Sequence, residues 1–162
     1  MDFTYWLRQT SGKPLFPDIE WNKPEQRGQA GKLGVIGGNK LGFLAVGDAY
    51  TVAQGAGVGQ VRAVLPDVLK KSVPATITDI IYAPTNPSGS LAKDASNTIH
   101  ALGAWADAVL LIGDAGKNSE TAVVYEDFVR DYSGLLTITR DSVDLLMNTP
   151  ELVVERPQTL LV

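Results

Sequence analysis

The run Ala108-Val109-Leu110-Leu111-Ile112, followed by Gly113-Asp114-Ala115-Gly116-Lys117, decides the fold. Five apolar residues without alternation suit a strand buried on both faces, as parallel sheets require. After the glycine turn comes a helical pattern. From Ser119 to Tyr132, Val124, Phe128 and Tyr132 recur every four residues, with Tyr125 and Val129 beside them. Strand, glycine turn and helix in that order form one unit of a wound α/β sheet.

The same unit recurs on both sides. Upstream, Leu33-Gly34-Val35-Ile36 runs into Gly37-Gly38, and Phe43 to Ala56 reads as a helix that Gly55-Ala56-Gly57 stops. Gln60 to Leu65 is the next strand, closed by Pro66, with a short helix through Lys71. Ile77 to Ala83 is a third strand, and Asp94 to Trp105 a helix with Asp94 or Ser96 as its cap. Downstream, Leu135 to Thr139 is a fifth strand and Ser142 to Met147 a short helix. Leu152-Val153-Val154 and Thr159 to Val162 read as late strand-like pieces. The expected architecture is a three-layer α/β/α domain with a mostly parallel sheet over residues 31–162. Residues 1–30 hold Pro14, Pro17 and Pro24 and read as an extended N-terminal arm. Its aromatics Tyr5, Trp6, Phe16 and Trp21 need burial, against their own domain or on a second subunit.

The 162 residues fit one domain, and 44% hydrophobic with 20% charged residues is ordinary for a globular chain. A net charge of −4 gives no general attraction to phosphate backbones, so a nucleic-acid role is not expected. There is no cysteine, which excludes disulfides, thiolate zinc sites and thiol catalysis within this sequence and fits a cytoplasmic setting. No apolar run approaches the roughly 20 residues of a membrane helix, and the first residues lack a signal-peptide pattern.

In open α/β sheets ligands bind beyond the carboxyl ends of the strands. Gly37-Gly38-Asn39-Lys40-Leu41-Gly42 stands there, where backbone N–H groups and a helix dipole can hold an anion, or where a tight turn lets helix and strand approach. Gly113, Asp114, Gly116 and Lys117 stand at the second such turn. Gly116-Lys117 is no Walker A loop, because the preceding glycine is too close and Asn118 replaces the Ser/Thr that binds Mg²⁺. Gly55-Ala56-Gly57-Val58-Gly59 follows a helix rather than a strand, the wrong order for a dinucleotide fingerprint. Asp141 and Asp144 follow the fifth strand and serve either a ligand or a helix N-terminus. His100 is the only histidine, which excludes His-rich metal sites, and it reads as a surface or packing residue. No Gly-x-Ser-x-Gly elbow is present. Lys70-Lys71 is too short for a phosphate patch.

The motif order resembles the start of the ribokinase-like ADP/ATP-dependent NAD(P)H-hydrate dehydratases. The residues that carry it are Val35-Ile36-Gly37-Gly38, Gly42, Gly55-Ala56-Gly57-Val58 and Val61 to Pro66. Ala106 to Gly116 is similar to that family's Ala-Asp-Ala-x-x-x-Gly-Pro-Gly-x-Gly stretch, with one extra residue before the first glycine. Asp141 matches the second aspartate of its Asp-Ala-Asp-x-Leu. Departures are a shorter loop after Gly37-Gly38, Phe43 in place of a small residue, and a glycine loop without its proline. The resemblance covers residues 31–147 and implies the N-terminal half of a ribokinase-like fold, apparently truncated. It implies a nucleotide-like ligand on the two glycine turns, ADP or ATP with Mg²⁺ as cofactor, and NAD(P)H hydrate as substrate. The family's Gly-x-Gly-Asp element lies in the other half, so this chain is expected not to turn over alone. The rival reading is a non-catalytic nucleotide-binding or scaffold module. The eroded motifs and apolar last residues favour a homo-oligomer. A receiver-like or flavodoxin-like domain fits the strand count but lacks the acidic cluster after the first strand.

Overall fold

Among the described residues six short strands form one sheet in which each neighbouring pair is parallel, in the order β3-β2-β1-β4-β5-β6. They are β1 (Lys32–Ile36), β2 (Gln60–Pro66), β3 (Ile80–Ala83), β4 (Ala108–Leu111), β5 (Leu135–Ile138) and β6 (Thr159–Leu161). The helices are α1 (Leu44–Gly55), α2 (Ser96–Trp105), α3 (Ser119–Asp131), α4 (Asp141–Leu145) and α5 (Glu151–Val154). This computed structural model describes residues 10, 12, 17–19 and 22–162. The arm aromatics Tyr5, Trp6, Phe16 and Trp21 lie outside the described residues.

Alternate side chains of each strand enter two separate cores. Ile36, Val64, Val109, Leu111, Leu136 and Ile138 face α2 and α3 and pack on Ile99, Leu102, Tyr125 and Phe128. Val35, Val61, Ala63 and Leu65 face α1 and pack on Val46, Tyr50 and Ala53. The period of two, read on strands that are apolar on both sides, is why the sheet sits between helical layers. The sequence expectation of a parallel α/β domain holds, and the pairing is wholly parallel.

Local endings follow chain chemistry. Helix α1 stops where expected: Gly57 takes φ +95°, Val58 N donates to Ala53 O at 3.1 Å and Gly57 N to Gln54 O at 3.3 Å. That pair of bonds is the Schellman arrangement. Three expectations change. Leu152-Val153-Val154 is not strand but part of α5. Pro150 opens that helix, with Val154 N donating to Pro150 O at 3.0 Å, and Val153 turns inward to the α3 core. Proline suits a first helical turn because its missing N–H would find no partner there anyway. Neither Asp94 nor Ser96 caps α2. A 3-10 turn over Lys93–Ala95 leads into it and Ala95 stands at the cap with no side-chain bond. Strand β3 begins at Ile80, not Ile77; just before it Asp79 O accepts from Ala63 N at 2.9 Å, while its N donates to Tyr50 Oη at 3.3 Å and its carboxylate takes Arg62 Nε at 2.8 Å.

Tyr125 is buried within the α3 core, and its hydroxyl has no hydrogen-bond partner. Burial pushes its ionisation above the ordinary value of 10, the nearby Asp141 charge adds to this, and the Ser142 hydroxyl partly opposes it. Below pH 10 the phenol is protonated in both the folded and the unfolded chain. Above it the unfolded chain releases the proton and the folded chain keeps it, so the folded state binds more protons and stability falls with rising pH. The expected slope is up to about 1.4 kcal/mol per pH unit. Urea melts between pH 9 and 11 check this, and Tyr125→Phe flattens the slope.

Candidate functional site at the carboxyl rim of the sheet

Strand order reverses between β1 and β4, since the chain builds outward from β1 to β3 and then returns to the other side of β1. This crevice is where open α/β sheets hold ligands. The loops after both strands meet there. Ile112 N donates to Ile36 O at 2.9 Å, and Gly38 N to Gly113 O at 3.4 Å. A Cβ on Gly37 would stand 2.6 Å from Ile112 O and 2.8 Å from Gly113 O, so only glycine lets the two bends approach this closely.

Asn39 locks the bends together. It is buried, its Nδ2 donates to Asp114 O at 2.6 Å, and its Oδ1 accepts from Leu41 N at 2.7 Å. Asn39 and Gly42 exchange backbone bonds of 2.9 and 3.0 Å, which closes the turn that feeds α1. Of the two readings of the first turn, its hydrogen bonds describe the tight turn, and one N–H of the helix start is taken up within the chain. Asp114 reaches across the crevice and its Oδ2 accepts from Ala45 N, in the first turn of α1, at 2.9 Å. The carboxylate already meets the donor and the dipole that an anion would use. Asp114 holds φ +62° to do so, a conformation that a short polar side chain tolerates.

Asp141 joins the same rim. Its Oδ2 accepts from Gly116 N at 3.2 Å, while Ser142 Oγ donates to Ile112 O at 2.8 Å. Loops after β1, β4 and β5 are thereby tied into one surface. Lys117 stands outside this network, 81% exposed, with its Nζ 3.6 Å from Asp144 Oδ2. Such a surface pair contributes little. Lys117, Asn118, Asp144, Leu145 and Met147 border an open cleft of about 470 Å³ beside the rim. The structure thus brings Gly37, Gly38, Asn39, Gly42, Gly113, Asp114, Gly116 and Asp141 together, and sets Lys117 at their edge. His100 lies elsewhere, on α2, its Nε2 3.3 Å from Asp131 Oδ2.

Sequence reasoning missed the loop after β3. Asn86 is buried and acts as its hub. Its Oδ1 accepts from Ser88 N and Ser90 N at 3.1 Å each, and its Nδ2 donates to Leu91 O at 3.2 Å and to Asn118 Oδ1 at 3.1 Å. Asn118 caps α3 through Glu120 N and Thr121 N and donates to Ser88 Oγ at 2.8 Å. The signal was present in Asn86-Pro87-Ser88-Gly89-Ser90, a turn composition, and in Asn118 placed before a helix with Glu120 and Thr121 after it. Among the described residues no group of three or more His, Asp or Glu could hold a metal ion, and no helix is long and apolar enough to cross a membrane.

Neither a family model nor a curated protein sequence matches the chain. Among solved structures it is similar to a ribokinase-like superfamily protein from Enterococcus faecalis V583, with a TM-score of 0.68 and 11% identity. The likeness covers 86% of this chain and 47% of that one, so the chain spans about half the length of that relative. The fold is ribokinase-like α/β.

Proposed function

We propose that this chain is the substrate-holding part of a ribokinase-like protein of the NAD(P)H-hydrate dehydratase type, with a nucleotide-like small molecule lying across the rim above β1 and β4. The observation that carries the reading is the contact of the two glycine bends at the point where strand order reverses. Gly116 is half-exposed at that rim, while Gly37, Gly38 and Gly113 are buried beneath it and let the two bends close on each other. Asn39 and Asp141 hold the loops in place.

Holding, rather than chemistry, is what these residues suit. Asp114 is bound to Ala45 N, Asp141 to Gly116 N, and Lys117 faces Asp144. The two buried-side carboxylates of the rim, Asp114 and Asp141, are thus held by backbone N–H groups, and a general base must be able to reach its substrate's proton. Part of what would hold the phosphates of ADP or ATP is already engaged. Free N–H groups at a helix start are a ready phosphate site, and three of them are taken here. Asp114 takes Ala45 N in α1, and Asn118 takes Glu120 N and Thr121 N in α3. We therefore assign the phosphoryl donor to no residue of this rim. The rival, a binding module with no chemistry of its own, draws support from the same engaged carboxylates.

The test is titration of the ¹⁵N-labelled 162-residue chain with nicotinamide mononucleotide and with NADH hydrate. The expected amide shifts fall on residues 37–42 and 113–117. Shifts confined to other surfaces, or none at millimolar ligand, contradict the reading. The same chain supplied with ADP or ATP is expected to regenerate no NADH from the hydrate; regeneration would assign it the chemical step.

A further inference from the structure

Arg140 joins the end of β5 to α4 and holds φ +57° and ψ −136°. Ser142 N donates to Thr139 O at 3.2 Å and closes a turn with Arg140 at its first central position. Those dihedrals and that bond describe a type II′ turn, whose first central position favours glycine. A side chain is crowded there, and backbone strain of this kind collects at binding sites. An arginine in this place calls for a reason in its side chain.

The side chain lies on the second glycine bend. A Cβ on Gly113 would stand 2.9 Å from Arg140 Cδ and 3.0 Å from Arg140 Cβ, so the missing side chain of Gly113 makes room for the arginine stem. The guanidinium starts one bond beyond Cδ, so it stands beside Gly113 at the rim. Arg140 is exposed. Among the described residues no carboxylate pairs with it; the ion pairs there are Arg62 with Asp79, His100 with Asp131, Lys117 with Asp144 and Arg130 with Asp127. The carboxylates of the rim turn to other partners. Asp141 Oδ2 accepts from Gly116 N at 3.2 Å, Asp114 Oδ2 accepts from Ala45 N at 2.9 Å, and Asp144 faces Lys117. In a chain of net charge −4, a positive group fixed at the rim without a counter-charge is open to an anion from outside.

We infer that Arg140 binds a phosphate group, the one carried by the nucleotide-like ligand of the rim. A guanidinium offers two parallel N–H groups to two phosphate oxygens, a fork that a lysine ammonium cannot reproduce. The backbone donors Ala45 N, Glu120 N and Thr121 N at the starts of α1 and α3 are already engaged, so the phosphate finds its donor in a side chain. Only the identity of the ligand rests on the reading above; the anion site stands on Arg140 itself. The phosphate meant is the ligand's own, not that of a phosphoryl donor.

Titration of the ¹⁵N-labelled chain with inorganic phosphate, nicotinamide mononucleotide and nicotinamide riboside, at constant ionic strength, tests this. Phosphate and the mononucleotide are expected to shift the amides of Gly113 and of residues 139–142, and the mononucleotide to bind more tightly than the riboside. Arg140→Gln is expected to weaken phosphate and mononucleotide binding by about tenfold or more, the loss for a charge-assisted bond, and to leave riboside binding unchanged. Arg130→Gln removes another exposed arginine, paired with Asp127, and should alter none of the three. Arg140→Gly gives a reading that a purely structural role would reverse. It should resist urea at least as well as wild type, because glycine suits the turn, yet bind phosphate as weakly as Arg140→Gln. Phosphate binding that needs Arg140, with neither mononucleotide nor riboside bound, would support the anion site and contradict the ligand reading above. No phosphate shifts at millimolar concentration, equal phosphate binding by wild type and Arg140→Gln, a riboside bound as tightly as the mononucleotide, or a glycine variant less stable than wild type would overturn the inference.

Discussion

Gly37→Val is expected to cost about 3 kcal/mol of folding stability, the upper part of the range for forcing atoms into a filled space. The added Cβ would meet Ile112 O at 2.6 Å and Gly113 O at 2.8 Å. Both neighbours are backbone, in a strand end already bonded to Ile36, so neither can rotate away. The strands must part locally or the bend after β1 must rebuild. The variant is therefore also expected to lose ligand-induced shifts on both loops at once. Gly42→Ala is the control in the same loop. Nothing lies within 4 Å of its added methyl, and its φ is not in the left-handed region. It should stay within about 1 kcal/mol of wild type, on the stabilising side, because alanine narrows the unfolded ensemble. Urea unfolding of the two variants side by side checks the pair, and equal stabilities would contradict the close approach.

Phe128→Ala is expected to cost about 3–5 kcal/mol, the range for emptying a buried aromatic site. Phe128 is 1% exposed, stacks on Tyr132 with ring centres 5.0 Å apart and meets His100 edge-on at 5.7 Å. It also lies against Gly103 of α2, whose missing side chain lets the two helices close. A domain of this size has only about 5–15 kcal/mol in total, so the loss is a large share of its stability. The effect should separate from the rim. Phe128 lies far along α3 from Asn118, so the folded variant should bind ligand with little change. Thermal and urea midpoints give the first half of the prediction, and ligand titration of the folded variant the second.

Most of the fold was legible because its signals are local. Ala108–Ile112 is apolar throughout and forms a central parallel strand, buried at Val109 and Leu111 and half-buried at Ala108 and Leu110, and glycine or proline punctuates nearly every unit. Leu152-Val153-Val154 misled because β-branched residues favour strands on their own, whereas Pro150 and the burial of Val153 against α3 settle a helix. That no helix among the described residues covers Leu135 and Leu160 was not legible. Leu135 and Leu160 look like ordinary strand residues, and whether a helix lies over them depends on contacts distant in sequence.

The rim was legible in outline only. Glycine after a strand marks Gly37-Gly38 and Gly113 by chemistry alone. That Asp114 closes on Ala45, 69 positions away, depends on the strand order, which no local pattern records. For the same reason the spacing left an anion site and a tight turn as equal readings, and did not show that Asp114 would meet Ala45 N. The hub at Asn86 was missed because a turn composition names a loop without naming what the loop will touch.

The adjacency of the two bends can be measured directly by nuclear Overhauser contacts in the folded chain. The account predicts cross-strand contacts from Ile36 to Leu111 and Ile112, and from Gly38 to Gly113, with matching contacts from Leu33 to Ala108 at the other end. Contacts that instead join Ile36 to Ala108, or that link β1 to no part of β4, would show opposed or separated strands and would leave no shared rim for a ligand.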